Sequence, residues 1–143
     1  EGDSNMMSSA EDERQVIDVI NRYAYALDGA DWPLLRTVWA DDVDADFGTG
    51  ETWNSGDALN EVMEKFHTGL KTMHMNGNYV IDDAGPGKAK GRTYVRARLF
   101  KPDGALLLRF AGWYDDEFAK IEDKWRITKR KVTTIEFEQG PQA

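Results

Sequence analysis

The sequence predicts an α+β fold in which helices cover one face of a curved, mostly antiparallel sheet. Apolar residues recur at helical spacing in three segments of the first half of the chain. Four strand-like segments follow, joined by tight turns that contain Gly, Pro and Asp. Strands joined in this way pair antiparallel, and such a sheet commonly packs one face against helices.

The chain length predicts one domain. At 143 residues the chain is long enough for a single hydrophobic core. We expect this domain over residues 10–138, with a short tail over residues 139–143. Residues 1–9 are small and polar without a pattern, so we expect a loose arm there, disordered or left over from cloning. No secretory signal is recognised at the start of the sequence.

The composition indicates a soluble globular protein with a small, neutral or hydrophobic ligand. The net charge of −8 argues against binding to nucleic acid or to an anionic membrane, because both need clustered Lys and Arg. The absence of cysteine excludes disulfides, iron–sulfur clusters and thiolate zinc, and is compatible with a cytoplasmic location. Two histidines in different elements and no motif with ligand spacing predict no metal site and no organic cofactor.

The first predicted helix runs from Glu11 to Leu27. Its apolar stripe consists of Val16, Ile17, Ile20, Ala24 and Leu27. Ser9 is the expected N-cap. We expect the helix to end near Asp28, with Gly29 as a left-handed C-cap.

Two further helices are predicted. One is short, over residues 31–39, with Asp31 as its N-cap. The other covers residues 55–70, with Ser55 as its N-cap. Its buried stripe consists of Leu59, Val62, Met63 and Phe66. His67 lies near the C-terminal end, where the helix dipole favours a cation, so we expect it on the surface without a chemical role.

The acidic residues between the second and third helices resemble a calcium loop only in part. Asp42, Asp44 and Asp46 occupy positions one, three and five of such a loop. Position six would be Phe47, where glycine is needed, and position twelve would be Trp53, where a bidentate glutamate is needed. We therefore interpret residues 41–53 as a turn into a strand with solvated carboxylates.

The strand predicted over Lys71–Asp83 carries His74. Side chains alternate between the two faces of a strand. One face then holds His74, Asn76, Asn78 and Val80, and the other holds Met73, Met75, Tyr79 and Ile81. Methionines and asparagines around a histidine are typical of a mostly apolar cavity with a few polar groups. A core histidine bonded to a backbone carbonyl is the alternative.

Three more strands are predicted, over Lys88–Phe100, Ala105–Phe118 and Trp125–Phe137. In the first of these, polar and apolar residues alternate. Its solvent-facing side holds Lys88, Lys90, Arg92, Tyr94, Arg96 and Arg98. The turn at residues 82–91 contains glycines and lysines. It lacks the Gly-Lys-Ser/Thr ending of a phosphate loop and no helix follows it, so no nucleotide site is predicted.

Several blocks of the sequence resemble a known family. RYAYALDGADWPLLRTVWADDV, TMHMNGNYVID, GRTYVRARLF, GWYDDEF and WRITKRKV are similar, in order and spacing, to the SnoaL-like group of the nuclear-transport-factor-two-like superfamily. The resemblance covers about Glu11 to Phe137. It implies a cone-shaped α+β barrel, in which a curved sheet wraps around three N-terminal helices.

The resemblance also implies a site. The first and third blocks look like scytalone dehydratase, bile-acid dehydratase and lindane dehydrochlorinase, which pair an Asp at the end of the first helix with a His on the following strand. Those positions match Asp28 and His74. Scytalone dehydratase brings a second histidine from the next strand, and the matching position here is near Leu99, so a two-histidine mechanism is not expected. For Asp28, a helix-terminal residue bonded to nearby backbone is the alternative.

Other residues complete the expected site. Tyr23, Tyr25 and Tyr114 are potential hydroxyl donors, and we rank Tyr23 first because it lies near the helix end that holds Asp28. The expected pocket residues are Trp39, Trp53, Met63, Phe66, Asn76, Leu99, Phe110 and Tyr114.

Three classes of function follow from the resemblance. The first is a cofactor-independent dehydratase or isomerase acting on a hydrophobic cyclic substrate such as a polyketide, steroid or terpenoid. The second is a polyketide-type cyclase that uses the same base, and the third is a non-catalytic binding or assembly module. The resemblance also implies a homodimer whose sheets pack face to face, through Arg92, Tyr94, Arg96 and Arg98.

Overall fold

The computed structural model describes residues 10–141. Its elements, in chain order, are α1 (Ala10–Asp28), α2 (Trp32–Arg36), β1 (Trp39–Asp46), β2 (Thr52–Trp53), α3 (Gly56–His67), β3 (Lys71–Asp83), β4 (Lys88–Phe100), β5 (Leu106–Ile121) and β6 (Lys124–Gln139). The predicted arm over residues 1–9, with its N-cap Ser9, lies outside the described residues. β6 reaches one residue into the predicted tail, because Gln139 still pairs with Leu108.

All six strands form one sheet, in the order β2-β1-β6-β5-β4-β3. Neighbouring strands are antiparallel except β1 and β6, which run parallel. The predicted α+β architecture, with three helices and a curved, mostly antiparallel sheet, is thereby confirmed. One row across the sheet matters for the site. It consists of His74 on β3, Ala97 on β4, Phe110 on β5 and Phe137 on β6.

The hydrophobic core lies between α1 and the inner face of the sheet. The buried residues of α1 are Val16, Val19, Ile20, Tyr23, Ala24, Ala26 and Leu27. On β4 the predicted alternation is confirmed, with Ala89, Thr93, Val95, Ala97 and Leu99 buried. Burial of this apolar surface is the main term that stabilises the contact of α1 with the sheet. It thereby fixes the position of Asp28, the last residue of α1.

The turn after α1 differs from the prediction by one residue. Ala30 adopts the left-handed conformation, with a φ of 53°, and its N–H donates to the carbonyl of Leu27 at 3.1 Å. The predicted left-handed cap at Gly29 is therefore wrong. A glycine is preferred at such positions but is not obligatory.

The second helix is shorter than predicted. It ends at Arg36, because the backbone N–H and the hydroxyl of Thr37 both donate to the carbonyl of Leu34, at 3.1 and 2.6 Å. Trp39, which we expected in this helix, instead begins β1 and pairs with Ile127. The predicted caps Asp31 and Ser55 are confirmed, since the side chains of both accept a hydrogen bond from the first turn of their helix.

A bulge divides β3 into two halves. The register with β4 shifts between Gly77 and Val80, and Asn78 has a φ of 53°. One inserted residue moves every later side chain to the opposite face. Val80 is therefore 58% exposed, whereas Tyr79 packs against the core. The prediction that Asn78 and Val80 share a face with His74 was wrong for this reason.

Candidate active site

Asp28 and His74 meet where the C-terminal end of α1 reaches β3. Oδ1 of Asp28 lies 2.8 Å from Nδ1 of His74. Oδ1 also accepts a hydrogen bond from the hydroxyl of Thr72 at 2.8 Å, and Oδ2 accepts one from the backbone N–H of His74 at 2.9 Å. The side chain of His74 is 4% exposed and that of Asp28 is 27% exposed. Three hydrogen bonds therefore hold the carboxylate in one orientation.

These hydrogen bonds determine which nitrogen of His74 carries the proton. Partial burial acts to raise the pKa of Asp28, but the hydrogen bonds from His74 and Thr72 outweigh it and lower the pKa below the usual 3.8. Asp28 is therefore ionised at neutral pH and can only accept hydrogen bonds. Nδ1 of His74 must be the donor, which leaves Nε2 as the basic nitrogen.

His74 lines a cavity of about 420 Å³ that lies between α1, α3 and the inner face of the sheet. Six of the expected pocket residues line it, namely Trp53, Met63, Phe66, Leu99, Phe110 and Tyr114. Phe47, Val62, Leu108, Val132 and Phe137 extend the apolar wall. Phe66 and Phe137 are 52% and 57% exposed, so they mark the mouth. The volume and the apolar lining suit a small cyclic molecule.

Two expected pocket residues lie elsewhere. Trp39 is fully buried behind Tyr23, with their ring centroids 5.6 Å apart in an edge-to-face contact. The amide nitrogen of Asn76 lies 3.5 Å from the carbonyl of Ile20 and 3.5 Å from the side-chain oxygen of Asn21. Trp39 therefore supports Tyr23 from the core, and Asn76 joins β3 to α1.

Tyr23 and Tyr114 bring two phenol groups to the cavity. The ring of Tyr23 packs edge-to-face on His74 at 6.0 Å, and its hydroxyl lies 4.0 Å from the weak acceptor Sδ of Met63. Burial raises the pKa of Tyr23 to about 12 and that of Tyr114 well above 10. Both phenols therefore keep their protons and can donate to a ligand oxygen. Tyr25, the third tyrosine considered, is 76% exposed and outside the cavity.

A buried ion pair, which was not predicted from the sequence, lies behind the two tyrosines. Nε and Nη2 of Arg130 donate to the two carboxylate oxygens of Asp116, each at 2.8 Å. The guanidinium carbon lies 3.8 Å from the ring centroid of Tyr114 and 4.6 Å from that of Tyr23. One signal was present, because Asp116 alternates with Tyr114 and Phe118 along the inner face of β5.

His67 is buried, and the expectation of a surface position was wrong. It is 7% exposed and lines the same cavity as His74, with the two ring centroids 6.2 Å apart. The available signal was its spacing, because His67 continues the buried row formed by Leu59 and Met63 at intervals of four residues. A second histidine thus reaches the site from α3, although the matching position near Leu99 holds none.

The groups at the cavity define what it can do chemically. They are two imidazoles, two phenols, the carboxyl group of Glu51, the hydroxyls of Thr49 and Thr134, and apolar walls. Within residues 10–141, no three His, Cys, Asp or Glu side chains are grouped as metal ligands. Over the same span, none of the helices is long and apolar enough to cross a membrane.

The fold is shared with solved structures of low sequence identity. A candidate scytalone dehydratase from Novosphingobium aromaticivorans superposes with a TM-score of 0.84 at 21% identity, covering 93% of this chain and 90% of the other. A type 2 hexachlorocyclohexane dehydrochlorinase superposes with a TM-score of 0.79 at 15% identity, covering 90% and 88%. These similarities show that the chain has the same fold as these two proteins.

Sequence comparison gives the family. An uncharacterised protein of Mycobacterium tuberculosis is 26% identical over 92% of both chains. The model of the SnoaL-like domain matches residues 8–131, which is most of the chain. This protein therefore belongs to the SnoaL-like domain family.

Proposed function

We propose that this protein is a dehydratase-type lyase that acts without a cofactor on a small hydrophobic cyclic substrate, such as a polyketide, steroid or terpenoid. The observation that carries the proposal is the 2.8 Å contact of Asp28 with His74 at the wall of a mostly apolar cavity. A carboxylate that orients an imidazole is the arrangement of a positioned general base. Two structural neighbours carry the names of elimination enzymes, which agrees with this chemistry.

The first step is removal of a proton from a carbon beside a substrate carbonyl. Nε2 of His74 takes the proton, and the electron pair of the C–H bond forms an enolate. Asp28 stabilises the imidazolium that results. Such positioned proton transfer contributes on the order of 10²–10⁴ to the rate.

The second step is loss of water. The protonated Nε2 of His74 gives its proton to a hydroxyl on the β carbon while the C–O bond breaks and its electron pair goes to oxygen. The enolate electrons then form the new C=C bond and restore the carbonyl. Tyr23 donates a hydrogen bond to the carbonyl oxygen, where negative charge develops in the first step.

The same pair of residues also supports an isomerase. His74 would then return the proton to another carbon of the enolate, and no group would leave. A cyclase would use the enolate to close a carbon–carbon bond, whereas a binding module would use only the cavity. The dehydratase, isomerase and cyclase reactions share the first step, so the fate of the enolate distinguishes the three.

A panel of cyclic β-hydroxy ketones, incubated with the protein in D₂O and followed by NMR, tests the proposal. Loss of water that depends on His74 supports a dehydratase, whereas deuterium uptake beside the carbonyl without loss of water indicates the proton transfer of an isomerase. Binding of panel members with neither elimination nor exchange would overturn the enzyme proposal and leave the binding module.

We further propose a homodimer through the outer face of the sheet. Met75, Tyr94, Trp113 and Ile135 line a shallow apolar groove there. Met75, Tyr94 and Ile135 are 63%, 46% and 64% exposed, so together they form an exposed apolar patch, and such patches mark interaction surfaces. Of the arginines expected to meet a partner, Arg92 already pairs with Asp115 of its own chain at 2.8 Å. The apolar residues, rather than Arg92, are therefore the proposed centre of the interface.

A further inference from the structure

His67 has a fixed tautomer inside the cavity. Its Nδ1 lies 2.7 Å from the backbone carbonyl of Met63, one turn earlier in α3. A carbonyl oxygen can only accept a hydrogen bond, so Nδ1 carries the proton. Nε2 is then the nitrogen with a free lone pair. Among the described residues, no hydrogen-bond partner is found for this nitrogen.

His67 is also held in its neutral form. Burial is the largest cause that lowers its pKa, and it outweighs the hydrogen bond with the carbonyl of Met63, which acts to raise the pKa. Trp32 and Phe66 pack against the ring, with centroids at 6.4 and 5.1 Å. An imidazole that is neutral and closely packed is a poor acid. It is, however, a well-oriented hydrogen-bond acceptor.

The two histidines therefore differ in what they offer a ligand. His74 has a carboxylate behind it, which stabilises the charged ring, so it suits proton removal. His67 has only a neutral carbonyl behind it. The ring centroids are 6.2 Å apart, so atoms of a single six-membered ring can reach both side chains.

We infer that His67 is a specificity-determining residue, whose Nε2 accepts a hydrogen bond from a hydroxyl on the same ring as the carbon that His74 deprotonates. This inference deepens the proposed function, on which it rests for the role of His74. It narrows the substrate class to cyclic molecules with a ring hydroxyl besides the one that leaves as water. A bound ligand shields this acceptor from water, so an analogue without the hydroxyl leaves the acceptor without a partner and binds more weakly.

A pair of bicyclic probes tests the inference without any need for turnover. 2-Naphthol and 2-methylnaphthalene differ only in a hydroxyl and a methyl group, and the fluorescence of each reports binding at pH 7. We expect the wild-type protein to prefer 2-naphthol by about tenfold. The variant His67→Phe keeps a flat ring but has no acceptor, so its preference should fall below about twofold while 2-methylnaphthalene binds as before.

The variant His74→Phe is the matched control, because it removes the other imidazole of the same cavity. It should keep most of the preference for 2-naphthol. A preference that persists in His67→Phe, or that disappears only in His74→Phe, would overturn the inference. So would a wild-type protein that binds the two probes equally or binds neither.

A spectroscopic readout separates ligand binding from a structural role of His67. The chain has two histidines, so ¹⁵N labelling of histidine gives few ring resonances, and His74→Phe assigns them. Nε2 of His67 should be unprotonated and should shift when 2-naphthol is added, but not when 2-methylnaphthalene is added. This spectrum decides the matter even if His67→Phe does not fold, and an Nε2 that never responds would overturn the inference.

The experiments distinguish a failure of the role of His67 from a failure of the proposed function. If the preference for 2-naphthol depends on His67 but the D₂O panel shows neither elimination nor exchange, only the proposed enzyme function is contradicted. If elimination requires His74 but the protein does not prefer 2-naphthol to 2-methylnaphthalene, only the role of His67 is contradicted.

Discussion

Arg130 and Asp116 form a two-point ion pair that is sealed from solvent directly behind the cavity. Both side chains are at most 1% exposed, and the two hydrogen bonds are 2.8 Å long. Burial opposes the charge of Arg130, but the carboxylate of Asp116 outweighs it and raises the pKa of Arg130. The cation lies against the rings of Tyr23 and Tyr114. The pair therefore holds both phenols in place.

Breaking this pair should destabilise the fold strongly. The variant Arg130→Met leaves a buried carboxylate without its partner, and we expect a loss of about 3–5 kcal/mol in the free energy of unfolding, measured by urea denaturation. Arg92→Met is the matched control, because Arg92 pairs with the neighbouring Asp115 but is about half exposed. The control should lose less than about 1 kcal/mol. Equal losses in the two variants would contradict this account.

Removing the hydroxyl of Tyr23 should lower activity with little effect on folding. Tyr23→Phe deletes the proposed donor to the substrate carbonyl oxygen, and the loss of one such donor costs on the order of 10² in kcat. Tyr25→Phe is the control, because Tyr25 is 76% exposed and outside the cavity. The rates of both variants are compared on the first substrate that loses water. A full rate in Tyr23→Phe would remove this residue from the mechanism.

The buried His67 should make stability depend on pH. Its pKa in the folded protein lies below the value of 6.5 expected in the unfolded chain. As pH falls through 6.5, the unfolded chain takes up a proton before the folded one does, so the free energy of unfolding falls. Above that pH both states are neutral and His67 has no effect. Urea titrations between pH 8 and about pH 5 should show this loss in the wild type and a smaller one in His67→Gln. If the free energy of unfolding changes with pH in the same way in the wild type and in His67→Gln, this prediction is contradicted.

The proposed dimer should depend on the apolar groove of the outer sheet face. Ile135→Lys places a charge in the centre of that groove, and we expect it to give monomers at micromolar concentration in analytical ultracentrifugation, where the wild type gives dimers. Ile121→Lys is the control, because Ile121 is 39% exposed at the turn between β5 and β6. A wild-type monomer, or a dimeric Ile135→Lys variant, would contradict the proposed interface.

Periodicity and turn chemistry were sufficient for most of the fold. The alternation over β4, the caps Asp31 and Ser55 and the order of the long strands follow from local sequence. The parallel pairing of β1 with β6 could not be predicted in this way, because it joins Trp39 to Ile127 across most of the chain. The bulge at Asn78 was missed because a single inserted residue leaves the composition of a strand unchanged.

The site was also predicted only in part, because contacts between distant segments of the chain position its residues. The contact of Asp28 with His74 came from family resemblance, since 46 residues separate them and only the fold brings them together. Arg130 and His67 were missed because charged and titratable residues are normally placed on the surface. Burial of Arg130 requires Asp116 on the adjacent strand, and burial of His67 requires the carbonyl of Met63. Neither partner can be identified from the local sequence around the buried residue alone.

The central claim is that Asp28 and His74 act as one unit in proton transfer. The most direct test is a double-mutant cycle, in which kcat/KM is measured for Asp28→Asn, His74→Ala and the double variant on the first panel substrate that loses water. We expect each single variant to lose on the order of 10²–10⁴ and the double variant to lose little more than His74→Ala. Losses that multiply in the double variant, or elimination that survives in His74→Ala, would contradict the account.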